Sequence, residues 1–65
     1  MNITVDNQTF KCELGDNGTL DTLVYIDGID HIIDWETASQ YRDEDGNMTK
    51  GGFIELCEWL IPEVA

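Results

Sequence analysis

A chain of 65 residues is one domain (residues 1–65), and with 42% apolar residues it has enough for a single modest core, which argues against disorder. At this length only about 60% of the unfolded surface is buried on folding, so the stability margin is thin. Fourteen Asp and Glu against three Lys and Arg leave a net charge of −11, which argues against direct binding to nucleic acid or an anionic membrane, since both need basic patches.

The first part of the chain reads as strands separated by turn residues. Ile3 and Val5 alternate with Thr4, and Phe10, Cys12 and Leu14 alternate with Thr9, Lys11 and Glu13, the period of two that marks a half-buried strand. Asp6-Asn7 between them is suited to a tight hairpin. Gly15-Asp16-Asn17-Gly18 is a second turn. The run Leu20 to Ile26 is rich in the β-branched and aromatic residues that strands favour. Asp27-Gly28 is the strongest two-residue hairpin signal, and Ile29 to Trp35 runs back from it. Residues 36–48 read as a loop with a helical turn, because Asp43, Glu44 and Asp45 would sit at the wrong end of a longer helix dipole. Thr49 is an N-cap for the last element, whose first turn Gly51 and Gly52 weaken by up to about 1 kcal/mol each relative to Ala. Phe53, Leu56, Cys57 and Leu60 line one helical face, with Ile54 and Ile61 at its edge, and Pro62 is expected to stop the helix. The fold predicted is α+β: a four-stranded antiparallel β-meander with a C-terminal α-helix packed on one face.

A two-residue turn at Asp27-Gly28 sets Ile26 against Ile29, Val24 against His31, Thr22 against Ile33 and Leu20 against Trp35, on the face turned to the helix. The other face then holds Tyr25 across from Asp30, Leu23 across from Ile32 and Asp21 across from Asp34. For the preceding hairpin, pairing Leu14 with Leu20, Cys12 with Thr22 and Phe10 with Val24 keeps apolar residues together. That register places Glu13, Asp21 and Asp34 in one row, with neighbouring Cβ atoms about 5 Å apart, beside a strip of Lys11, Leu23 and Ile32. Trp59 falls off the core stripe of the helix, near Glu55 and Glu58. The bland alternative is that residues 36–48 fold over this face or over Trp59.

Other chemistry is weaker. Cys12 and Cys57 make neither a disulfide framework nor a four-ligand zinc site, and are read as buried thiols with a bridge as the alternative. Aligning Gly46 with the glycine of a calcium loop puts Tyr41 and Gly52 at the terminal ligand positions, and aligning Gly18 ends on Val24. Neither loop fits, so no metal and no cofactor are expected. His31 has no partnered nucleophile and reads as a structural histidine, so the chain is not expected to be an enzyme. All four asparagines (Asn2, Asn7, Asn17 and Asn47) lie in N-x-T tripeptides, read as turns because neither a leader nor an apolar spanning run is recognised. The expected setting is the cytoplasm, that of the host if the protein is viral.

The charge alone has two bland explanations, solubility and adaptation to high salt, the second weakened by seven isoleucines. In size, acidity and coarse layout the chain resembles the small acidic inhibitors made by phages, which include DNA mimics that block uracil-DNA glycosylase and some anti-CRISPR proteins. The resemblance is one of class, without a shared motif, and carries over no residues. It implies a non-catalytic interaction module that occupies the basic surface of a nucleic-acid-processing protein. Glu13, Asp21, Asp30 and Asp34 would meet its Lys and Arg, with Leu23, Tyr25, Ile32 and Trp59 as the apolar anchor. The alternative is a structural or assembly module that buries its open sheet face against a copy of itself, as a homodimer, or against a neighbouring subunit.

Overall fold

Four strands run antiparallel in the order of the sequence: β1 (Asn2–Val5), β2 (Gln8–Leu14), β3 (Thr22–Ile26) and β4 (Ile29–Ile33). The computed structural model describes every residue except Asn17, Thr19 and Ala65, so part of the expected Gly15–Gly18 turn lies outside the described residues. Asp6 and Asn7 have φ of 51° and 66°, and Asp27 and Gly28 have 51° and 82°. Positive φ at both central residues is the type I′ turn, whose twist matches that of the flanking strands and which Asn, Asp and Gly tolerate best. Each turn fixes its hairpin. Ile3 faces Phe10, and Ile26, Val24 and Thr22 face Ile29, His31 and Ile33 as expected.

No two-residue turn joins β2 to β3, and there the register departs from expectation. Cys12 faces Ile26, Glu13 faces Tyr25 and Leu14 faces Val24, rather than Thr22, Asp21 and Leu20. The cause is a tie between the second hairpin turn and the middle of β2. The Asp27 N–H donates to the Lys11 carbonyl at 2.8 Å, and the Lys11 N–H donates to the Asp27 carboxylate at 2.8 Å. The slip is four residues, an even number, so every side chain keeps its face and changes only its neighbours. The expected Leu20–Trp35 pair is also absent. Leu20 is exposed, β3 begins at Thr22, and Trp35 opens a short helix, α1 (Trp35–Ala38).

A 3-10 turn (Ser39–Tyr41) follows α1, and then a polar loop leads to α2 (Lys50–Val64). Thr49 caps α2 as expected, its Oγ1 accepting the Gly52 N–H at 3.1 Å. Pro62 does not stop the helix, which runs on to Val64. Proline so near the C-terminus removes a single hydrogen bond, and the residues around it, Glu58 and Glu63, are exposed, so water can solvate the freed carbonyl. Phe53, Leu56, Cys57, Leu60 and Ile61 of α2 are buried against Ile3, Cys12, Val24, Ile26 and Ile33 of the sheet, and Ala38 of α1 joins them. Tyr41 and Met48, half-buried, pack against this core.

Cys12 and Cys57 both lie in this core as free, fully buried thiols, and the Cys12 thiol donates to the Phe10 carbonyl at 3.8 Å. Burial pushes both thiols up, and pushes Cys57 to about 12 with the neighbouring Cys12 adding to the effect. A thiol-directed reagent at pH 8 should therefore leave both unlabelled in the native protein and label both in urea. Because the folded value is raised, stability from the neutral Cys57 thiol is complete below the ordinary value of 9.0 and is lost as pH rises through about 12. Urea denaturation at pH 8 and pH 10 should show a smaller alkaline loss in Cys57→Ala than in the native chain.

Candidate acidic interface on the open sheet face

Side chains of β2, β3 and β4 that point away from α2 form two cross-strand rows. The first is Glu13–Tyr25–Asp30. The expected row of Glu13, Asp21 and Asp34 does not form, because the register slip replaces Asp21 by Tyr25 beside Glu13. Two carboxylates thus flank an aromatic ring instead of crowding one another. Lys11 sits 3.8 Å from Glu13, both side chains well exposed, a pairing that water screens to little net worth.

The second row is Gly15, Leu23 and Ile32, joined by a Gly15 N–H to Leu23 carbonyl bond of 2.8 Å and the β3–β4 ladder. A Cβ on Gly15 would stand 2.7 Å from the Tyr25 ring and 2.9 Å from the Leu23 side chain. Both side chains therefore lean over the bare glycine, and Leu23 is only 9% exposed. Leu23 supports Tyr25 rather than offering itself to a partner, which corrects its expected role. Ile32, in contrast, is 61% exposed.

Asp21 also changes role. It lies before β3, half-buried, and its carboxylate accepts the Trp35 N–H at 3.0 Å, tying the β3 entry to the start of α1. Asp34 is exposed at the N-cap position of α1, just past the end of β4, and its carbonyl accepts the Ala38 N–H. Asp21→Ala should cost about 1 kcal/mol in urea denaturation, as for a lost helix-terminus hydrogen bond, while Asp34→Ala should stay within about 0.5 kcal/mol.

Residues 36–48 do not cover the open face. Ala38, Tyr41 and Met48 pack on the α2 side, and Arg42 holds them there. Its guanidinium donates to Thr22 Oγ1 at 2.9 Å and to the Gly46 carbonyl at 3.0 Å, and lies 5.7 Å from the Trp35 ring centroid. Trp59 is 41% exposed on α2, so the segment does not bury it either. Because α2 covers the opposite face of the sheet, Trp59 cannot share a contact surface with Tyr25 and Ile32. It stands instead with exposed Glu55 and Glu63, one turn away on either side.

The sequence reading missed Ile29, which parity put on the helix-covered face. It is 63% exposed, because α2 lies toward β1 and leaves the β4 margin bare. Ile29 borders a shallow groove of about 240 Å³ with Phe10, Ile26, Asp27, His31 and Val64. His31 is half-buried in that margin, away from the acidic row. Among the described residues no group of three or more His, Cys, Asp or Glu side chains is placed to share a metal ion, and no helix is long and apolar enough to cross a membrane. No protein-family model, curated protein or solved structure matches the chain.

Proposed function

We propose that the chain is a non-catalytic acidic interaction module that lays its open sheet face on the basic, partly apolar surface of a nucleic-acid-processing protein, in place of nucleic acid. The observation that carries this reading is the Glu13–Tyr25–Asp30 row with exposed Ile32 beside it, left uncovered by the long connection. Every acidic residue except Asp21 is exposed. Of the three cationic side chains, Arg42 is turned inward and Lys11 sits beside Glu13. The resulting field would steer a basic surface toward the protein and is itself relieved when that surface arrives. Tyr25 and Ile32 add the aromatic and aliphatic contact that charge alone lacks. The same row lies on a sheet surface rather than in a cleft, which favours docking over catalysis.

The test is capture on immobilised protein from the heparin-binding fraction of the source organism. A partner is expected that duplex DNA displaces and that rising salt weakens. Tyr25→Ala and Asp30→Lys should each reduce its affinity by about tenfold or more, the range of a hot-spot loss. Capture that ignores salt, DNA and both substitutions would overturn the reading. A dimer that grows in light scattering as the carboxylates are neutralised would assign the face to self-assembly instead.

A further inference from the structure

The outer edge of β4 carries a second feature, formed by the backbone. The Gly15 N–H bonds the Leu23 carbonyl and the Asp27 N–H bonds the Lys11 carbonyl, so the odd-numbered residues of β3 direct their backbone groups toward β2. Thr22, Val24 and Ile26 must then direct theirs toward β4, where they face Ile33, His31 and Ile29. By the same alternation the N–H and C=O groups of Asp30 and Ile32 point outward, and among the described residues nothing bonds them.

Strand edges are usually blunted by lysine, proline, a bulge or a cover. Ile29–Ile33 has no lysine, no proline and an unbroken ladder to β3. The other edge, β1, is shorter and lies against α2 with Ile3 buried. Side chains on the β4 margin are apolar on both faces, with Ile29 63% and Ile32 61% exposed. Acid frames them. Asp27 precedes the strand, Asp30 sits on the open face beside Ile32, and Asp34 follows on the same parity.

Building on the acidic-module reading, we propose that the β4 edge takes up an extended basic segment of the partner as a fifth strand on the four-stranded sheet. The outward groups of Asp30 and Ile32 supply the main-chain bonds. Lys or Arg of the incoming strand stand against Asp30 and Asp34 on the open face with their aliphatic stems over Ile32, and its apolar residues cover Ile29 on the other face. A second copy of this chain is the wrong occupant, since edge-to-edge pairing would join two chains of −11 through their acidic margins.

The probe is a labelled octapeptide of alternating lysine and valine, compared with the same peptide N-methylated at every second residue, which keeps the charge and removes the donors of one edge. The plain peptide should bind at least about tenfold more tightly, and the Asp30 and Ile32 amides should gain protection from hydrogen exchange. Ile32→Pro deletes only an outward N–H, as proline on an edge strand can. Ile32→Lys keeps the backbone and adds a repelling charge. Both should lower binding about tenfold while circular dichroism stays native. Equal binding of the two peptides, or no protection at Asp30 and Ile32, would overturn strand addition and leave the acidic-face reading standing. Absence of binding by either peptide would also overturn strand addition. The acidic-face reading is judged separately, by the response of the captured partner to Asp30→Lys and salt.

Discussion

Leu56→Ala should destabilise the domain by about 2–5 kcal/mol, the range for deleting a fully buried leucine side chain. Leu56 is 0% exposed at the centre of the α2 stripe, with Phe53 and Leu60 on its own helix and Ile3, Cys12 and Val24 in the facing sheet. The cost has two parts, the lost transfer of the deleted atoms out of water and the cavity their neighbours cannot close. The second part should be near its full value here. The stripe rests on a sheet whose register is held by type I′ turns and by the Asp27–Lys11 tie, so the walls cannot easily move inward. Domains have about 5–15 kcal/mol to lose, and a chain this short is near the lower end. Leu56→Ala is therefore expected to populate the unfolded state at 37 °C. Urea denaturation followed by far-ultraviolet circular dichroism measures it, with Ile32→Ala as the comparison. Ile32 is as apolar as leucine but 61% exposed, and its truncation should stay within about 0.5 kcal/mol. Similar losses for the two would mean that α2 does not seat on the sheet as described.

Legibility in the sequence followed the range of the interaction involved. Both hairpins could be read because Asp6-Asn7 and Asp27-Gly28 set φ locally, and such a turn carries its register with it. The α2 stripe and its Thr49 cap were equally local. The β2–β3 register was not legible. It is set by a carboxylate at Asp27 reaching the Lys11 backbone, sixteen positions away in sequence, and by Asp21 being drawn off to Trp35. Hydrophobic matching allowed two registers of the same parity, and nothing local chose between them. For the same reason the face of every site residue could be assigned but not its neighbours. Glu13, Tyr25 and Asp30 share a face as expected, yet in a row different from the expected one. Leu23 was misjudged because its cover is a missing side chain. The sequence marks Gly15 as a turn residue, whereas its bare Cα is the floor on which Leu23 and Tyr25 lie. Pro62 signals a stop in the sequence, yet a helix loses little when only its last turn is affected, and α2 runs through it.

Gly51 and Gly52 give the second large expected effect, because the same substitution at adjacent positions should act in opposite directions. From sequence both glycines only weaken the first turn of α2. In the structure a Cβ on Gly51 meets nothing within 4 Å. Gly51→Ala should then stabilise by about 0.4–1 kcal/mol, mainly by restricting the unfolded chain. A Cβ on Gly52 would collide with the backbone carbonyl of Tyr41 and lie 3.2 Å from Thr49 Oγ1. A carbonyl at the end of the 3-10 turn is not the tip of a flexible side chain, so relief requires α2 or residues 39–41 to shift. Such a shift would also disturb the Thr49 cap, whose bond ends on the Gly52 N–H itself. Overpacking of this kind costs about 1–3 kcal/mol, which outweighs the entropic gain from alanine. Urea midpoints at constant m-value should therefore rise for Gly51→Ala and fall for Gly52→Ala. A rise for Gly52→Ala would show that α2 does not approach Tyr41 so closely, and residues 39–41 would then be free to leave the α2 side of the sheet.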